Sequence, residues 1–184
     1  MCKFGELRSS CGAWDLDAVK SLLNSYYCNP IRHVLDLDIG HWPAVEATDQ
    51  DNTHCLYVTI RNVANHTPAS DLIAQFSLTP VPATREVLIS HDTYVTTKYR
   101  RLGIGKILLE AKANIAVHAN CTLLLAAVNE QNIPEHRVLA NFFCQGQGIS
   151  SFTKVHEFRS VYSPMGLWAF NIDQDNIKLS GKRA

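Results

Sequence analysis

Between Tyr94 and Lys106 the chain reads Tyr-Val-Thr-Thr-Lys-Tyr-Arg-Arg-Leu-Gly-Ile-Gly-Lys, and no other segment restricts the fold as tightly. Upstream, Glu86 to Val95 is rich in β-branched residues and predicts a strand, with Val87, Ile89, His91, Thr93 and Val95 on one face. Downstream of Gly103, Ile104, Ile107, Leu108, Ala111, Ile115 and His118 or Ala119 recur at three-and-four spacing, which predicts an amphipathic helix. Thr122 to Val128 then reads as a buried strand, being short and nearly all apolar. The unit is strand, glycine turn, helix, strand. Gly103 and Gly105 let the backbone turn tightly and approach a ligand, while the first turn of the helix offers unpaired N–H groups and the positive end of its dipole. Lys98, Arg100, Arg101 and Lys106 add positive charge, so the expected ligand is a phosphate or pyrophosphate. A dinucleotide fingerprint would need a third glycine where Leu108 stands, and a Gly-Lys-Ser/Thr phosphate loop is missing.

The rest of the chain supplies flanking elements. Asp15 to Tyr27 predicts a first helix, with Leu16, Val19, Leu22, Leu23 and Tyr26 at helical spacing and Asp15 as its cap. A polar connection is expected from Gly40 to Asn52, followed by strands over Leu56 to Ile60 and Leu72 to Leu78, which would pair antiparallel in succession with Glu86 to Val95. Asn132-Ile133-Pro134-Glu135 has the look of a helix start, with Asn132 as cap, and that helix is expected to reach about Gln145, where Gly146 and Gly148 follow. Phe152 to Phe158 and Leu167 to Ile172 predict two late strands. Residues 1–172 thus read as one domain and 173–184 as a polar tail.

Hydrophobic residues make up 46% and charged residues 18% of the 184, which excludes a mostly disordered or fibrous chain. Lys+Arg and Asp+Glu are both 17, so no overall basic excess calls for a polyanion or a membrane surface. The balance is uneven along the chain. Residues 1–80 hold nine acids and five bases, net −4, and residues 81–184 hold eight acids and twelve bases, net +4, with much of that excess around the glycine turn. The longest apolar run, Leu123 to Val128, is six residues, far short of a membrane span. The first residues show no secretory pattern, and the six cysteines form no Cys-x-x-Cys pair, so free thiols and a cytoplasmic location are expected.

Placed between a strand and a helix, Arg100-x-x-Gly103-x-Gly105 resembles the Gln/Arg-x-x-Gly-x-Gly/Ala signature of the GNAT superfamily of N-acetyltransferases, and the likeness extends over about Glu86 to Gly148. The resemblance implies an α/β (α+β) GNAT fold. Its central sheet would be mixed and mostly antiparallel, splayed between the fourth and fifth strands, with helices on both faces. It also implies acetyl-CoA as acyl donor and no metal. The backbone amides of Arg101, Leu102, Gly103, Ile104, Gly105 and Lys106 would hold the CoA pyrophosphate, helped by the Arg100, Arg101 and Lys106 side chains. The pantetheine arm would lie between the strands Glu86 to Val95 and Thr122 to Val128, with backbone groups near Tyr94 and Val95 polarising the thioester carbonyl. Asn132 would contact the pantetheine, or serve only as a helix cap.

An amine acceptor needs a base. Where the family commonly has a Glu on the fourth strand, this chain has Ile89, Ser90, His91 and Asp92. His91 is the leading candidate, since imidazole changes charge near neutrality; Asp92, Glu86 and Glu130 are others, and the bland reading of His91 is a hydrogen-bonded strand histidine. The family's tyrosine, which protonates the departing thiolate, falls at Phe142, so that phenol is missing; Cys144 lies nearby. The acceptor region would be built from Asp15 to Trp42, the neighbourhood of His91, and Phe158 to Trp168. Trp14, Tyr26, Tyr27 and Trp42 would give it aromatic surface and Asp36 and Asp38 negative charge. The resulting expectation is transfer of acetyl from acetyl-CoA to a primary amine, on a small molecule or a protein, by direct attack in a ternary complex. The alternatives are a non-catalytic GNAT-fold protein that binds CoA or a partner, and a transferase for a nucleobase or RNA amine. Nucleic acid is the less favoured partner and no membrane is expected.

Overall fold

A computed structural model of the chain describes residues 7, 14–26, 33–41, 54–62, 72–81, 84, 86–142, 152–161 and 163–172. In chain order the elements are α1 (Leu16–Tyr26), β1 (His33–His41), β2 (His54–Asn62), β3 (Leu72–Pro80), β4 (Val87–Val95), a 3-10 turn (Thr97–Tyr99), α2 (Ile104–His118), β5 (Leu123–Asn129), α3 (Ile133–Ala140), β6 (Thr153–Arg159) and β7 (Pro164–Asn171). The strands form one seven-stranded sheet in the order β1-β2-β3-β4-β5-β7-β6. Every neighbouring pair is antiparallel except β4 and β5, which run parallel and are joined by the crossover helix α2. Among the described residues no helix is long and apolar enough to cross a membrane.

The expected elements are present with shifted bounds, and β1 was not foreseen. Its sequence alternates Leu35, Leu37 and Ile39 with Asp36, Asp38 and Gly40, residue types that strands disfavour, so propensity hides it. At the other end β7 begins at Pro164, where the missing N–H is tolerated because it is the first residue of the strand. The helix expected to reach Gln145 ends at Ala140, with Asn141 as its C-cap; Cys144, Gly146 and Gly148 lie outside the described residues. Asp15 does cap α1, its Oδ1 accepting from the Ala18 N–H at 2.9 Å.

Residues paired across the ladders share a face, and Val58, Phe76, Leu78, Leu88, Leu124 and Phe170 accordingly form one buried surface. Helix α2 lies against it over β3, β4 and β5, and α3 packs beside α2 and against β6. Ala111 to Ala116 of α2 are buried without interruption, a wider face than the expected stripe, and it includes Lys112 and Asn114.

The feature that shapes the site is where the sheet comes apart. β4 and β5 pair only from Val87↔Leu123 to Ser90↔Ala126; beyond that β4 continues along β3, and β5 along β7. The cause is a bulge in β4. His91 pairs with Ser77 and Tyr94 with Gln75, so Asp92 and Thr93 together oppose Phe76 alone. Asp92 takes the left-handed conformation at φ 51°, which aspartate tolerates better than most residues. The extra residue bends β4 away from β5 and opens a wedge from His91 onward. It also reverses the alternation. His91 stays with Ile89 on the half-buried face, Val95 pairs with Ala74 on the buried one, and the Thr93 hydroxyl reaches toward α2. The single face expected for Val87, Ile89, His91, Thr93 and Val95 is therefore broken after His91.

Candidate active site

The turn into α2 is built from two left-handed residues, Arg101 at φ 66° and Gly103 at φ 80°, with Leu102 between them. Such alternation makes consecutive N–H groups converge on a concave spot that suits an anion. Gly103 is the N-cap of α2 and offers no side-chain acceptor. Its carbonyl takes the Lys106 N–H at 3.0 Å and the Ile107 N–H at 3.2 Å, so the N–H groups of Ile104 and Gly105 precede the first intrahelical bonds and point out of the helix end. A Cβ at Gly103 would meet nothing within 4 Å, and glycine is required there by the φ angle. A Cβ at Gly105 would meet only Val138 Cγ2 at 3.9 Å, an ordinary contact, so the protein's own packing does not demand glycine at that position.

Charged side chains surround the turn but are not all aimed at it. Arg101 and Lys106 are exposed, with Lys106 Nζ 3.8 Å from Glu110. Arg100 folds back instead: its Nε donates to the Val95 carbonyl at 2.9 Å, and its guanidinium lies 5.7 Å from the centre of the Tyr94 ring. It thereby ties the end of β4 to the turn. Lys98 sits 4.9 Å over the Tyr99 ring, and Tyr99 Oη accepts from Asn62 Nδ2 at 3.2 Å.

At the opening of the wedge His91 has a carboxylate on one side and a hydroxyl on the other. Nδ1 lies 2.9 Å from Asp92 Oδ2, and Nε2 lies 2.6 Å from Thr79 Oγ1. A carboxylate only accepts, so the proton belongs on Nδ1, and the Nε2 lone pair takes the Thr79 hydroxyl proton. Cys55 Sγ is 3.7 Å from the same Nε2. Burial pushes the Cys55 thiol up, with the Thr79 and Tyr57 hydrogen bonds opposing, so it is a poor source of thiolate. Thr79 and Cys55 were not anticipated, because they come from β3 and β2 and only the sheet register brings them to His91.

On the opposite, helix-covered face lies the largest surprise. Lys112 of α2 is 3% exposed, donates to Thr93 Oγ1 on the bulged part of β4, and sits 5.5 Å over the Phe76 ring. Burial lowers it to about 8, against the upward pull of the Glu135 carboxylate. Glu135, in the first turn of α3, is itself raised by burial, with Lys112 and His136 pulling the other way. A sequence signal existed: Lys112 lies between Leu108 and Ile115 on the apolar stripe, where a charge is out of place.

The remaining candidates disperse. Asn132 is the N-cap of α3: Oδ1 accepts from the Glu135 N–H at 3.4 Å, and Nδ2 donates to Glu135 Oε2 at 2.7 Å. Glu86 lies just before the paired end of β4, where its carbonyl accepts from Thr122 and Leu123, far from the wedge opening. Glu130 is held by Lys154 at 2.9 Å beyond the end of β5. Phe142 is 2% exposed and packs edge-on against Phe152 and Phe170, with ring centres 5.6 and 5.5 Å away. Trp14 is buried in the core and gives no acceptor surface. Tyr27 and Trp42 lie outside the described residues, as do the side chains of Tyr26, Asp36 and Asp38.

The acetyltransferase (GNAT) family model matches residues 16–142. Among solved structures the chain is similar to a protein of Salmonella typhimurium, described as an acetyltransferase and solved with its cofactor acetyl-CoA. The TM-score is 0.50 and the identity 14%, over 65% of this chain and 66% of that one. It is similar also to a protein described as a phosphinothricin N-acetyltransferase, with TM-score 0.50 and 12% identity over 76% of this chain and 99% of the other. A further likeness, to a protein of Acinetobacter baylyi described as an acetyltransferase, has TM-score 0.49 and 13% identity over 67% of this chain and 65% of that one. The chain thus spans just under two thirds of the Salmonella and Acinetobacter proteins. No curated protein matches the sequence.

Proposed function

The chain belongs to the GNAT acetyltransferase family, and on that premise we propose that it transfers an acetyl group from acetyl-CoA to a primary amine by direct attack, with both substrates bound together. The observation that carries this reading is the wedge between β4 and β5, which opens beside an anion-receiving turn at the start of α2. The amides from Arg101 to Lys106 suit the pyrophosphate, with Arg101 and Lys106 adding charge. Tyr94 and Val95 would border the space for the arm, Asn132 would join them only by releasing Glu135, and the Arg100 bridge to the Val95 carbonyl ties turn and strand together.

His91 serves as base from the half-buried face. Asp92 holds the imidazole with its Nε2 lone pair turned to Thr79, and the Thr79 hydroxyl passes on the proton that the attacking amine loses. Direct attack is favoured over an acyl-cysteine, because Cys55 is a buried thiol and its nearest base is already occupied by Thr79. The non-catalytic reading draws on one observation, the burial of Phe142 where the family places its proton donor.

Acetyl-CoA is expected to raise the melting temperature, and CoA thiol is expected to appear on addition of one or more members of a panel of primary amines. Stabilisation without thiol release against the whole panel would leave only a CoA-binding protein. In a turning-over enzyme, His91→Ala and Thr79→Val should each lower kcat by about 10²-fold or more, and His91→Ala should remove the acidic limb of the pH profile. A profile unchanged in His91→Ala would move the base elsewhere.

A further inference from the structure

We propose that Lys112 protonates the departing sulfur, working from the helix-covered face of the wedge, opposite the face that carries His91. This rests on the transferase reading and supplies what that reading lacks. Phe142 has no proton to give, and its ring is closed in by Phe152 and Phe170.

Lys112 is placed for the task by three elements. Its Nζ donates to Thr93 Oγ1, beyond Ser90, the last residue of β4 that pairs with β5. It is attracted to Glu135 in α3, the helix that follows β5 on the other side of the gap. The Phe76 ring lies against it from β3. The ammonium therefore lies under β3 and β4, beside the point where β4 leaves β5. Among the described residues the charged group facing it is Glu135 from α3, with His136 beside that carboxylate; Thr93 and Phe76 are uncharged, and His91 and Asp92 are on the other face of the sheet.

The balance of the step is simple. As the thioester C–S bond breaks, its electron pair goes to sulfur, and Lys112 Nζ gives that sulfur a proton, leaving a neutral amine and a CoA thiol. The proton lost by the acceptor goes to His91 through Thr79. One proton is taken up on one face and one released on the other, and exchange with water restores both groups. With Lys112 lowered to about 8, its acidity comes close to that of an ordinary thiol near 8.5, so the transfer is almost level in energy, while the group is still mostly protonated at neutral pH.

The test is the ionisation of CoA bound to wild type and to Lys112→Met, followed by the ultraviolet absorbance of the thiolate across pH. The bound thiol is expected to ionise about one pH unit or more lower on the wild type than on the variant, as a neighbouring ammonium requires. In transfer assays Lys112→Met should lose on the order of 10²-fold in kcat, with KM for acetyl-CoA changed far less. Lys112→Arg should keep the low thiol ionisation and lose the alkaline limb of the kcat profile. If removal of Lys112 perturbs folding by stranding the Glu135 carboxylate, Lys112→Met with Glu135→Gln gives a neutral pair for the same measurement. Identical thiol ionisation on wild type and variant would overturn the proposal, as would a stable acetyl group on Lys112 after incubation with acetyl-CoA. The titration needs no acceptor, so it decides the role of Lys112 separately, and absence of transfer by the wild type would count against the transferase reading alone.

Discussion

Gly103 and Gly105 do different work although only Ile104 separates them. Gly103 is fixed by its own backbone, since any side chain at φ 80° is strained. Gly105 is in regular helix with room for a methyl group, so packing does not require glycine there, and on the proposed reading the close approach of CoA would. Gly105→Ala should leave the fold intact or stabilise it by about 0.5–1 kcal/mol. It should also weaken CoA by roughly tenfold, or about 1.4 kcal/mol, through crowding at the anion site. Calorimetric titration with CoA checks this, and an alanine variant that binds as tightly as wild type would take the pyrophosphate off the Gly105 amide. These glycines and their cationic neighbours were legible in the sequence because they are contiguous. His91 was legible as a candidate, but Thr79 and Cys55 come from other strands, and their meeting depends on a register that no local pattern specifies.

The bulge in β4 and the short reach of α3 decide what the elements bring to the site. Phe142 falls just after α3 and is drawn into an aromatic cluster with Phe152 and Phe170. Phe142→Tyr is expected to be destabilising by about 1–3 kcal/mol, because the added hydroxyl would be buried among rings without a partner. Chemical denaturation measures it; an unchanged midpoint with raised turnover would mean that the phenol reaches the sulfur after all. Strands β2 to β5 and helix α2 could be read locally, β2 to β4 from their β-branched and aromatic residues, β5 from its unbroken apolar run and α2 from its three-to-four-residue repeat. The reversal of faces after His91 could not. A bulge adds one residue to one strand, and its only local trace is an aspartate in an unusual backbone state. β1 was hidden for another reason, the aspartates and glycine interleaved with its apolar residues.

For the whole molecule Lys112 couples the interior to pH. Its folded value of about 8 lies below the 10.5 of an unperturbed lysine, so between these the unfolded chain binds more protons and stability rises with pH. The burial penalty is fully present below pH 8 and is relieved as the pH climbs toward 10.5. Relative to wild type, Lys112→Met with Glu135→Gln should lose this rise, which paired urea unfolding series at pH 7.5 to about 10 would detect. Parallel slopes for the two proteins would show that Lys112 is solvated in solution. The wedge has one more consequence. Strands normally show unpaired edges only at the outside of a sheet, but here the facing backbones of β4 after Ser90 and of β5 after Ala126 do not pair with each other, which leaves two bare edges in the middle of the sheet. A slender chain carrying its own amide groups, inserted there, would find hydrogen-bonding partners on both sides and would complete the ladder as an eighth, non-peptide strand.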